Sequence, residues 1–470
     1  MLREQSTTVV KRGISRLVAN GVTGALLLTT VVTWMGCNRK SGEGADSIAN
    51  LIPACRMAIA AESRDSNLDS VQGAGDASGN LDRDIAQQQQ LVRQGLQIPA
   101  GSVSGKDSNR ALEQLGWMFV EKARRSFDSG YYKLAEACAE CLDSKRPGGA
   151  EALLIRGHAL NSLHRFSEAE TVARQLVSMR GLHLDFGLLG DSLMEQGKLD
   201  DAIQAYQQMI DLKPGPHSYA RAAHVRWLKG DLEGAIEMMK RASRSVGPRE
   251  AEAAAWNYSR LAFYEFQAGE LKTALLIADA GLALQPDYAP ALLVRGRVLL
   301  ASGRSGEAVE VLRSAARQNP LPEYQWTLAE ALKVSGDVAG ASAVEAELRQ
   351  GGAASDPRTF ALYLATSGES LDTALTLAQD ELKVRRDVFT LDAAAWVMAA
   401  NGRTSEARDL MRLAVAEGTS DARLFYHAGS IASLDGDRLE AKKWLVRADR
   451  LKQMLLPSER DRLKLLLAKV

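Results

Sequence analysis

Apolar and polar positions divide the chain into three stretches. Residues 22–35 (VTGALLLTTVVTWM) form an almost unbroken apolar run. Residues 38–108 are polar and rich in Gly, Ser, Asp and Asn, as in GEGAD, SRDSNLDS and QGAGDASGN. From about residue 116 apolar residues recur at a spacing of three to four, which predicts helices with one buried face. They come in paired blocks separated by short turns, so each pair predicts an antiparallel helical hairpin. The clearest block is 183–215. Phe186, Leu189, Gly190 and Leu193 mark its first helix, Gly197-Lys198-Leu199-Asp200 its turn, and Ala202, Tyr206 and Met209 its second helix, which Pro214 ends.

The blocks are copies of one another. A small residue early in each second helix gives Ala135, Ala169, Ala202, Ala235, Ala274, Ala308, Ala341, Ala374, Ala407 and Ala441, in steps of 33 or 34 residues apart from one step of 39. A glycine stands five residues before most of them, where the first helix ends and a positive φ is needed. Two helices that cross closely need a small residue at the contact. The first helices supply the matching notch with Gly or Ala, as at Gly157, Gly190, Gly296 and Gly429. Bulky residues such as Tyr206, Met239, Leu312 and Leu445 are placed to fill the space to the next unit. No unit can bury its apolar face alone, so the units must stack.

This pattern resembles the tetratricopeptide (TPR) repeat over residues 116–455. The resemblance implies an all-α fold: a right-handed α-solenoid of about ten helix-turn-helix repeats with a C-terminal capping helix. The solenoid is expected over 109–470, with a possible break at the long step near 245–250. The capping helix is expected at Pro457–Val470, with Ser458 as cap, Asp461 completing the box, and Leu463, Leu466, Leu467 and Val470 against the last repeat.

Residues 1–16 carry a net charge of +3 ahead of the apolar run. A basic start, an apolar core and a small residue read as an export signal or a membrane anchor over 1–36. The end of this run resembles a bacterial lipoprotein signal, which implies lipid on Cys37 after Gly36. An uncleaved anchor is the other reading. Both place the body outside the cytoplasm, in the bacterial cell envelope. Residues 37–108 read as a polar, largely disordered spacer. Two pieces within it have helical patterning, 47–62 and 81–96, the latter with Leu81, Ile85, Val92 and Leu96 on one face.

Charge and chemistry narrow the function. Lys+Arg and Asp+Glu are equal at 58 each, so nothing draws the chain to nucleic acid as a whole. Four cysteines exclude a disulfide-dense scaffold. No catalytic motif is found. Gly101–Asp107 (GSVSGKD) imitates a phosphate loop but has the wrong glycine spacing and Asp107 in place of Ser or Thr. Cys138 and Cys141 give only two of the roughly four ligands that zinc needs. They read as small residues of a packed helix, or as a disulfide across one helical turn. No enzyme activity, metal or cofactor is expected.

In TPR proteins the first helices line a concave groove. On this register Trp227, Trp256, Phe263, Phe266, Trp326, Trp396 and Tyr426 face inward, with Arg297 and Glu330 among them. A one-residue shift of register would instead pack them between helices. His158, Asp191 and His224, with His217 two turns from His224, form a polar stretch of groove, or alternatively a metal or pH-sensing cluster. The resulting expectation is a membrane-anchored scaffold that binds other proteins or peptides. The alternative is an envelope glycan-binding protein that uses aromatic anchors.

Overall fold

The structure, a computed structural model, describes residues 52–60, 77–96, 103–247 and 250–470, which belong to one compact unit. The export signal or anchor at 1–36 and Cys37 lie outside the described residues. Every regular element among the described residues is helical. Ten hairpins run from Val103–Ser126 with Gly130–Lys145 to Ala422–Leu434 with Arg438–Arg450, and the helix Pro457–Leu467 follows them. No described helix is long and apolar enough to cross a membrane.

The ten in-phase alanines are all fully buried. Their hairpins close over the notches. A Cβ on Gly190 would lie 2.3 Å from the Tyr206 ring, one on Gly296 2.4 Å from Leu312, and one on Gly429 2.6 Å from Leu445. Tyr206, Leu312 and Leu445 therefore cover the notch of their own hairpin, a closer role than filling the gap to the next. At 164, where most turns have glycine, His164 itself takes a positive φ of 59°.

Three expectations change. First, the stretch read as spacer contains the helices Pro53–Ala60 and Ala77–Leu96. Leu81, Ile85, Val92 and Leu96 are buried, as their shared face implied, and they join one apolar cluster with Leu112, Leu115 and Phe119. Cys141 bonds to Cys55 in that extension, 86 residues away, and not to Cys138, which is free and buried. Second, the long step near 245–250 does not divide the body. A longer first helix, Ala251–Gln267, takes up the added residues, and Leu261 and Tyr264 share a core with the preceding hairpins. Third, the last helix is capped differently. Glu459 Oε2 accepts from Leu456 N at 2.8 Å, while Asp461 pairs with Lys464 on the surface.

The solenoid also closes on itself. Trp227 stacks on Phe389, ring centroids 5.3 Å apart. Arg386 N donates to Glu195 O at 2.9 Å, and Thr419 Oγ1 donates to Leu228 O at 2.6 Å. Lys229 Nζ meets Glu417 at 2.6 Å, and Arg385 pairs with Glu195. One apolar core accordingly joins residues 153–264 to residues 388–431. Each repeat adds a small rotation, and here those rotations bring units about five to six repeats apart into contact.

Candidate functional site

Closure decides which inward-facing residues stay accessible. Trp227, Phe266, Trp326, Glu330 and Tyr426 are buried, each below 5% exposed. Trp227 Nε1 donates to Gln267, and Trp326 meets Tyr363 edge-on at 5.6 Å. Tyr426 and Trp396 pack together at 5.7 Å, and Trp396 Nε1 donates to Thr366 Oγ1. Phe263, Arg297 and Trp396 are half-buried. Trp256 alone among the seven named aromatics is more than a third exposed, at 39%. Trp227 is covered by Phe389 of an opposite repeat, whereas Trp326, Trp396 and Tyr426 pack against neighbouring repeats, the arrangement expected of the shifted register.

What remains open is a cavity of about 480 Å³ between the hairpins around residues 191–260. Its walls include Tyr206, Pro216, Ala253 and Trp256, with Asp191, His217, Arg221, His224 and Arg260 as polar groups. Asp191, His217 and His224 therefore share one cavity, whereas His158 lies away from it, edge-on to Trp117 at 5.2 Å. Arg221 holds Asp191 through two hydrogen bonds of 2.8 and 2.6 Å, and Tyr206 OH donates to the same carboxylate at 2.8 Å. This fork fixes one wall. Across the cavity, Arg124 of the first hairpin pairs with Glu252 at 2.9 Å.

Two polar groups at this site lack the partners their burial calls for. Asn257 is 4% exposed; its Nδ2 donates to Ala253 O, and its Oδ1 has no partner. Arg260 stacks near Trp227, Phe263 and Tyr264 at 5.1–6.0 Å and donates to Tyr264 OH. Among the described residues no carboxylate forms an ion pair with it. Its remaining neighbour is His224 Nδ1 at 3.4 Å. Burial pushes the His224 imidazole down to about 3 and His158 to about 4, so both are neutral near pH 7. The cavity thus offers a partly exposed indole and a cation without a carboxylate partner, beside a buried Asn257.

A second cavity of about 430 Å³ lies further along the axis. It shares Met194, His224 and Arg260 with the first, and its lining adds Arg358, Arg385 and Arg423 opposite Asp387, Asp392 and Asp421. Apart from Asp392, these residues were not singled out in the sequence; Arg385 reaches Glu195 across the closure, whereas Arg358 meets Asp387 of the next repeat. Val103–Asp107 of the phosphate-loop lookalike belong to a helix. No group of three or more His, Cys, Asp or Glu among the described residues is arranged to hold a metal.

Family models described as tetratricopeptide repeat match residues 188–245 and 265–332. Both stretches are tetratricopeptide repeats. The fold that carries these TPR units is an all-helical solenoid. No curated protein sequence matches the chain. Among solved structures, it is similar to the human IFIT1 dimer with PPP-AAAA at 15% identity and TM-score 0.43, covering 77% of this chain and 94% of that one. It is also similar to the APC/C hetero-tetramer Cut9-Hcn1 at 12% identity and TM-score 0.35, covering 83% of this chain and 92% of that one.

Proposed function

We propose that this chain is a membrane-anchored TPR scaffold that holds a partner polypeptide of the bacterial cell envelope at the cavity beside Trp256. The observation that carries this reading is the contrast along the concave face. Where the chain has not filled its own groove, it leaves the Trp256 indole partly exposed on a cavity that Arg260 also lines. An extended segment supplies the complement: a carbonyl or carboxylate for Arg260 and an apolar side chain for Trp256. TPR arrays are in general protein-binding architectures, and no reacting group in this cavity calls for another role.

The export reading draws support from the Cys55–Cys141 disulfide, since such bonds persist in oxidising compartments. The anchor is Cys37 lipid or the apolar run before it. The glycan reading is less favoured, because it needs several aromatic faces in a row and, of the seven groove aromatics named, Trp256 alone is more than a third exposed.

The test is in-cell photo-crosslinking from a probe placed at 256 or 217, with a probe on the exposed Leu276 as control. The reading expects a discrete envelope polypeptide captured from 256 and 217 and not from 276. Equal, diffuse capture from all three contradicts it. Replacing Cys37 with Ser while removing residues 22–35 is expected to release the body from membranes.

A further inference from the structure

A second part of the predicted groove, around Phe266, Arg297, Trp326, Glu330 and Tyr426, is occupied by the segment 452–462 of the same chain. The segment makes one short turn at Lys452–Met454, passes through Leu455 and Leu456 in extended backbone, and enters the helix Pro457–Leu467. Leu463 and its neighbours hold that helix against Arg438–Arg450, as a cap does. Its other side is turned into the groove, and the contacts there have the form of peptide recognition.

Most of those contacts engage backbone. Arg297 Nη2 donates to Met454 O at 2.7 Å. Gln453 Nε2 donates to Gln267 O at 3.1 Å and Phe266 O at 3.4 Å. Glu330 accepts from both Ser458 N and Ser458 Oγ at 3.0 Å. Arg462 Nη1 donates to Thr366 O at 2.7 Å. Beside the Ser458 Oγ bond, one more contact joins two side chains: Arg423 grips Glu459 at 2.7 and 3.3 Å while its guanidinium lies 5.0 Å over the Trp326 ring. Glu459 is wholly buried there. Leu456 joins the cluster of Trp326 and Phe360, and Met454 and Leu455 join that of Phe266 and Tyr426. An array that only needed an end cap would not require its cap to reach two to five repeats back.

We infer that this half of the groove is a peptide-binding site held closed in cis, and that its exchange ligand is a partner segment with the same chemistry: an apolar pair in extended backbone followed by a helix start carrying an acidic residue, as in Leu455-Leu456-Pro457-Ser458-Glu459. Arg423 selects the carboxylate, Glu330 the free amides of the helix start, and Arg297 a backbone carbonyl. None of the groups that hold this segment lines the cavity at Trp256, so either assignment can fail without the other.

The probe is a labelled synthetic peptide of residues 452–467, read by fluorescence anisotropy against the full chain. The chain with S458A and E459Q has a weakened cis segment and an intact groove. It is expected to bind the peptide at least roughly tenfold more tightly than the unaltered chain, because less of the site is pre-occupied. Adding R423Q should abolish that gain. A folded S458A/E459Q chain that binds no more peptide than the unaltered one overturns the inference. Hydrogen exchange on the unaltered chain decides the matter independently of how the variants fold. Amides of 453–466 are expected to exchange at least roughly tenfold faster than those of Arg438–Arg450 and Ala422–Leu434, as a segment that leaves locally must. Exchange in step with those helices overturns the inference, since the segment would then leave only when its neighbours unfold.

Discussion

Trp227 and Phe389 stack at 5.3 Å with planes 21° apart, although 162 residues separate them in the chain. The contact joins a first helix of the fourth hairpin to one of the ninth and leaves Trp227 buried and Phe389 half-buried. Trp227→Ala is therefore a core truncation, expected to cost about 3–5 kcal/mol. Trp256→Ala, on the rim of the open cavity, is expected to change stability by under about 1 kcal/mol and to remove partner capture. Urea unfolding of the two variants beside the crosslinking readout checks both halves.

The turns that meet across the closure leave no space for a side chain. At Gly230 φ is +80°, and a Cβ there would lie 2.6 Å from Gly418 O. Gly303 has a similar φ of +75° and open space around it. Gly303→Ala is expected to cost about 1 kcal/mol from backbone strain alone, and Gly230→Ala about 2–3 kcal/mol or more as the clash is added. Equal losses in denaturant titrations of the two variants would mean that these turns do not touch.

The Cys55–Cys141 bond closes a long loop between residues 86 apart. Chain-entropy reasoning gives such a crosslink about 4–5 kcal/mol. Reduction, or Cys55→Ser, is expected to free Pro53–Ala60 for proteolysis before the hairpins of residues 150–450 are cut. Cys138 should stay unreactive to thiol reagents in the folded chain, because burial pushes its thiol well up. Limited proteolysis with and without reductant, followed by mass analysis, reads this directly.

His224 and His158 give the chain an acid-sensitive side. Their folded values of about 3 and about 4 lie below the ordinary imidazole value near 6.5, with burial as the leading cause. On acidification the unfolded chain takes up these protons first. The stability contributed by the neutral imidazoles is complete above about pH 6.5 and is lost as pH falls toward 4 and then 3. The urea midpoint is expected to be lower at pH 5 than at pH 7, with a smaller difference in His224→Gln. An unchanged difference in that variant would contradict the assignment.

The hairpins were readable because their signals are local. Ala202 and Gly190 meet their partners within one repeat, and such contacts recur at a fixed spacing. Closure was not readable, because the meeting of Lys229 with Glu417 depends on small rotations summed over several repeats, to which no single residue bears witness. The same holds for the groove. The inward direction of Trp227 and Arg297 followed from register, but their covering by Phe389 and by Met454 O did not. Cys55 was missed because its partner lies 86 residues away and the short apolar stretch around it is flanked by polar segments that read as spacer, although Leu81, Ile85, Val92 and Leu96 already marked a buried face nearby.

Closure of the solenoid is the claim on which the open cavity and the occupied groove both depend. Carbodiimide crosslinking of the monomer tests it most directly, since Lys229 Nζ and Glu417 Oε2 are 2.6 Å apart and partly accessible. The account expects a linked peptide pair 229–417, recovered alongside the within-repeat control Lys333–Glu345, also at 2.6 Å. Recovery of the control pair without any 229–417 link would show that the two arms stand apart, and the account would be wrong.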